Sequence, residues 1–161
     1  MSSELLEAFR HSAWANREIL AGCRGLTPVQ LETSLPTGAG KPLAMIKHLI
    51  GAESYYLSLI TGEHLAWDWS EEREETPDEL LVFAEDLARA WDAVLTADFD
   101  TTRMLDTRSS RLKAGVLLAQ ALHHANVHRE QVCAVITSLG LTPPDVSGWA
   151  YGRATGGIVP K

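Results

Sequence analysis

Apolar residues recur along this chain in steps of three and four over several long stretches, the spacing of helices that bury one face. The first stretch runs from about Ser3 to Arg24, with Leu6, Phe9, Ala13, Leu20 and Cys23 on its seam and Asn16 as the polar member. Ser3 suits the N-cap, Glu4 and Glu7 the positive helix start, and Gly25 the end. A buried amide must be hydrogen-bonded, so Asn16 either ties two helices together, the favoured reading, or points at a polar pocket. Trp14 lies far round the helix and predicts a second contact or an oligomer surface. The second helix begins at Pro42 and stops at Gly62. Its seam is Met45, His48 or Leu49, Ala52, Tyr55 or Tyr56, and Leu59, with a second apolar stripe at Ile46, Ile50 and Leu57. Its remaining face, Lys47, Gly51, Ser54 and Ser58, is mostly small and points to a homodimer. The third helix opens on Thr76-Pro77-Asp78-Glu79, a capping box with proline at the first helical position. Leu80, Ala84, Leu87, Trp91 and Val94 or Leu95 form its seam. The fourth covers residues 112–140, without proline, on a stripe of Leu117, Ala121, His124, His128, Val132, Val135 and Leu139. Gly140 and Pro143-Pro144 end it.

The connections are informative in their lengths. Thr27-Pro28 opens a short helical turn, and residues 33–41 form a loop rich in proline and glycine. Residues 62–75 are long enough, when extended, to span the length of a helix. The second and third helices can therefore run parallel with a crossover between them. That connection carries His64, without a matched partner, and an acidic run at Glu71, Glu72, Glu74 and Glu75 that reads as a solvated segment. Residues 99–111 form a second polar connection. Beyond Gly140, the tail 141–161 is expected to pack on the bundle through Trp149 and Tyr151. No segment reads as a strand, so the expected fold is all-α: one domain over residues 1–161, a four-helix bundle.

With 161 residues, 45% of them apolar and 22% charged, the chain can bury a substantial core without staples. Cys23 and Cys133 fall on apolar helical positions, which predicts free buried thiols and a reducing compartment. The start lacks the pattern of a secretion signal and no run is long enough to span a bilayer, so a cytoplasmic location is expected. A net charge of −7 with scattered Lys and Arg argues against nucleic acid and against anionic membrane surfaces.

The candidate chemistry lies in the fourth helix. His124 and His128 are one turn apart, so both rings project from the same face and can converge on one point. A pair at this spacing alone is more often core packing than a site, because two ligands hold a metal weakly. A third inward ligand would change that. Bundles build metal sites in their core from facing helices, and His48 on the second helix fits the scheme.

Three segments carry a family likeness. They are His11-Ser12-Ala13-Trp14-Ala15-Asn16, then Ile46-Lys47-His48-Leu49-Ile50-Gly51-Ala52-Glu53, and finally His124-Ala125-Asn126-Val127-His128-Arg129-Glu130-Gln131-Val132, followed by Leu139-Gly140 and Pro143-Pro144-Asp145. In order and spacing the chain resembles the DinB-like family, named for DNA-damage induction. The resemblance implies an up-down-down-up bundle, frequent homodimers, and three metal-binding histidines falling on His48, His124 and His128. It also implies thiol-dependent transferases and isomerases that use low-molecular-weight thiols, with some hydrolases.

Three histidines and an open fourth position describe a catalytic style of metal site. Zinc and nickel both suit imidazole nitrogen, and affinity order does not choose between them. The expected function is a metal-dependent enzyme acting on a small-molecule substrate, either transferring a small thiol to an electrophile or catalysing a related hydrolysis. The alternative is a stress-related protein that binds a metal or small molecule without turnover. A third reading, with the histidines empty, makes the chain an oligomeric scaffold. Glu53 lies about 140° round the helix from His48, at 100° per residue, which fits a supporting or packing role rather than a general base.

Overall fold

The structure is a computed structural model that describes residues 3–36, 38, 40–67, 73–97 and 99–159. Asp68, Trp69, Glu71 and Glu72 of the connection over residues 62–75 lie outside the described residues. Four long helices, α1 (Ser3–Arg24), α3 (Pro42–Thr61), α4 (Pro77–Thr96) and α5 (Ala114–Ser138), form the body. Two short ones, α2 (Pro28–Leu31) and α6 (Gly148–Ala154), accompany them. Helix α1 packs against α4 and α5, and α3 packs against the same two, so the order round the bundle is α1, α4, α3, α5.

The helix signals act as their chemistry predicts. Thr76 accepts from the Glu79 backbone N–H and Glu79 returns a bond to the Thr76 N–H, satisfying two donors that α4 would otherwise leave bare. Thr27 and Gln30 repeat this arrangement at α2. Helices α3 and α5 stop where Gly62 (φ 78°) and Gly140 (φ 76°) enter the left-handed region, which costs a residue without Cβ little.

Burial follows the expected seams on α4, where Leu80, Ala84, Leu87, Trp91 and Leu95 are enclosed. On α1 it falls on Phe9, Ser12, Ala15, Asn16, Ile19, Leu20 and Cys23, so Leu6 and Ala13 stand at the edge of the seam rather than within it. On α3 both stripes contribute core residues, including Met45, Ile46, Leu49, Ile50 and Leu57. Cys23 is buried, Cys133 is half-buried, and both are free.

Two expectations about the segment before α5 need correction. Residues 99–111 are not merely a connection: Met104–Asp106 (β1) pairs antiparallel with Arg111–Lys113 (β2), with Leu105 opposite Leu112. Three-residue strands are too short for an alternating pattern to stand out from a polar loop. Consequently α5 starts at Ala114, and Leu112 belongs to the hairpin. The segment before β1 caps two helices. Thr101 O and Arg103 O accept from the first N–H groups of α5, and the Arg103 guanidinium donates to Ile60 O at the end of α3.

The tail docks on α1 by one of its two expected aromatics. Tyr151 donates to Glu7 at 2.7 Å and packs against His11 and Trp14, whereas Trp149 is 73% exposed. Trp14 thus meets α6 of its own chain. Pro144 comes so close to α1 that a Cβ on Gly22 would sit 2.7 Å from its Cγ.

Candidate metal centre

Helices α3 and α5 run side by side, and their shared seam brings three imidazoles together. His48 Nε2 lies 3.2 Å from His124 Nε2, which lies 3.1 Å from His128 Nε2. One ligand atom from each ring falls within 4.8 Å of the other two. A tetrahedral ion with metal–nitrogen bonds of about 2.05 Å separates its nitrogen ligands by about 3.3 Å, so the two short edges already have the required length. The donor set suits a borderline transition cation, and the three histidines form a group that could hold one.

The electrostatics favour the ligating form of the rings. Burial, followed by repulsion from His128, His48 and His123, pushes His124 down to about 4. His128 is lowered mainly by burial, against a raising hydrogen bond from Gln131. Both rings are therefore neutral at pH 7, and neutral imidazole is the metal ligand. His124 Nδ1 is buried without a hydrogen-bond partner among the described residues. The ring of Tyr56 stands edge-on to His124 at 6.1 Å.

The position of the cluster departs from expectation. His48 is exposed and His124 and His128 are half-buried, so the centre lies at the rim of the α3–α5 seam rather than inside the core. The stripe that is buried on α5 is Leu117, Leu118, Ala121, Ala125, Arg129, Val132, Val135 and Ile136. Two grooves, about 590 Å³ between α1, α4 and α6 and about 610 Å³ beside α2 and the start of α3, border none of the three histidines.

The core position next to His128 is occupied by Arg129, 2% exposed, which sequence reasoning passed over because arginine is rarely buried. Its guanidinium donates to Ser12 O at 3.3 Å, Ser12 Oγ at 3.0 Å and Asn16 Oδ1 at 2.7 Å on α1, and to Asn126 Oδ1 on its own helix. Asn16 therefore does tie two helices together. Glu53 is buried on the α3 side of this network. Its carboxyl is raised to about 7 by burial, against lowering by Arg129, Asn16 and Trp91. Glu53 Oε1 and Trp91 Nε1 are nevertheless buried without a hydrogen-bond partner among the described residues, and both residues line a cavity of about 10 Å³.

Among the other histidines, His11 bonds Val146 O at 2.8 Å and belongs to the docking of the tail, while His64 and His123 are exposed. The residue that sequence reasoning left without a role at the centre itself is Gln131. Its Oε1 lies 2.8 Å from His128 Nδ1. The signal was its spacing, one helical turn beyond a candidate ligand.

The fold and this site together define a four-helix bundle with three histidines grouped where its helices can offer them to one metal ion. The chain belongs to the DinB family, whose model matches residues 1–158. A DinB-like protein from Bacillus cereus is similar over 89% of this chain and 95% of its own, at 17% identity and a TM-score of 0.71. YfiT from Bacillus subtilis, described as a probable metal-dependent hydrolase with an unusual four-helix bundle topology, is similar over 88% of this chain and 91% of its own, at 15% identity and a TM-score of 0.70. At such identities the likeness is one of fold. No curated protein matches the chain. Among the described residues, no helix is long and apolar enough to cross a membrane.

Proposed function

We propose that the chain is a metal-dependent enzyme in which His48, His124 and His128 hold one divalent transition cation, zinc or nickel, and a small electrophilic substrate is attacked by a thiol or by water. The observation that carries this reading is the convergence of the three Nε2 atoms at 3.1 and 3.2 Å. A bound cation supplies Lewis acidity there, so that a nucleophile exists at neutral pH. The protein's own residues supply the frame. Three protein ligands leave a coordination position open, and the exposure of His48 puts the centre within reach of a small molecule from solvent. Glu53 is buried beside Arg129, Asn16 and Trp91, and in this reading it supports the bundle rather than serving as a base.

Transfer of a low-molecular-weight thiol to an electrophile is the preferred reaction. Hydrolysis is the second reading, favoured by the likeness in fold to YfiT and by its description as a hydrolase. The test begins with elemental analysis of untagged protein. The metal-loaded protein and its His128→Ala variant are then assayed for conjugation of small thiols to electrophiles and for hydrolysis of activated esters and amides. Turnover that needs both the metal and His128 supports an enzyme, and the productive nucleophile selects between the two reactions. A stoichiometric metal with equal, negligible turnover in both proteins makes the chain a binding protein, and absence of bound metal from protein offered zinc or nickel overturns the proposal.

A further inference from the structure

The histidines of the centre differ in what holds their second nitrogen. His128 Nδ1 lies 2.8 Å from Gln131 Oε1, three residues on along α5, whereas His124 Nδ1 is buried with no partner among the described residues. A neutral imidazole carries its proton on one nitrogen only, and the hydrogen bond made by the other decides which. An amide oxygen can only accept, so Nδ1 of His128 bears the proton. Its Nε2 then presents a lone pair, and that is the atom 3.1 Å from His124 Nε2. With the amide turned over, its NH2 would donate to Nδ1, the proton would move to Nε2, and it would point into the cluster and block ligation.

We propose that Gln131 is the positioning residue of the centre. Its side-chain carbonyl fixes the tautomer and orientation of His128, making that ring the pre-set ligand around which the others close. This rests on the reading of the three histidines as a metal site. Gln131 is half-buried on the helix surface and outside the enclosed stripe of α5, so replacing it leaves the core intact.

The test uses the full chain as wild type, Gln131→Leu and Gln131→Glu. Nitrogen-15 imidazole spectra of the metal-free proteins near pH 8 report the tautomer, and competition with a chromophoric chelator reports zinc affinity. Wild type should show His128 protonated at Nδ1. Gln131→Leu should show mixed tautomers and bind zinc roughly 10- to 100-fold more weakly, the usual effect of losing a partner behind a ligand. Gln131→Glu, which keeps an acceptor, should retain the Nδ1–H tautomer and bind zinc at least as tightly as wild type. Wild-type His128 protonated at Nε2, or a Leu variant with unchanged tautomer and affinity, overturns the role of Gln131 alone. A wild type with the expected tautomer that binds no zinc overturns the metal reading and, with it, the function assigned to Gln131.

Discussion

Arg129→Met is the most searching perturbation of the bundle. Methionine follows the path of the arginine stem but removes a guanidinium that donates to oxygens of Ser12, Asn16 and Asn126. Ser12 Oγ and Asn16 Oδ1 would be left facing an apolar side chain, and the buried Glu53 would lose the positive charge that offsets part of its burial. Removing one partner from a buried charged network costs about 3–5 kcal/mol, far above the 0–1 kcal/mol of a surface pair. For a chain of this size, each kcal/mol moves the melting temperature by about 2–4 °C, so the variant should melt some 6–20 °C below wild type. The loss should be larger near pH 8, where an isolated Glu53 must either ionise unpaired or take up a proton, than near pH 5, where it is already neutral. Urea unfolding followed by circular dichroism at both pH values measures it. A loss below about 1 kcal/mol near pH 8 would show that the network is not what joins α1 to α5.

Four further outcomes follow from the same structure. Glu53 is raised from 4.5 to about 7, so between those values it is neutral in the folded protein and ionised in the unfolded chain; its contribution to stability therefore falls as pH rises through that window. Glu53→Gln should gain on wild type by about 2–3 kcal/mol from pH 4.5 to above 7, and a pH-independent difference between the two proteins would refute this. Zinc at 100 times its dissociation constant should stabilise wild type by about 2.7 kcal/mol and leave His128→Ala nearly unmoved, as read by thermal shift. Gly22→Ala should destabilise by about 1 kcal/mol or more despite the better helix propensity of alanine, because the new Cβ meets Pro144 Cγ at 2.7 Å; a rise in melting temperature would contradict that approach. Thr76→Ala should cost about 1 kcal/mol in urea unfolding by removing the cap of α4.

Local pattern was enough to place the long helices, the short turn opening at Thr27-Pro28, the capping box at Thr76, the stops at Gly62 and Gly140, and the pairing of His124 with His128. Each depends on residues within a few positions of one another, where helix geometry relates spacing to direction. Whether His48 joins that pair is a matter of how α3 rolls against α5, which no spacing within either helix specifies. The same roll decided that the enclosed stripe of α5 passes through Arg129 rather than through the histidines, leaving the imidazoles at the rim. A charged side chain reads as solvated until its partners are known, and two of the three residues that Arg129 bonds, Ser12 and Asn16, lie on α1, more than a hundred residues earlier in the chain. The β1–β2 hairpin escaped for the opposite reason, being too short to impose a period. Sequence alone therefore set which faces were apolar and which residues carried ligating nitrogen. Tertiary packing alone decided which polar groups were taken out of water, because desolvation and hydrogen-bond partners come from helices that are distant along the chain.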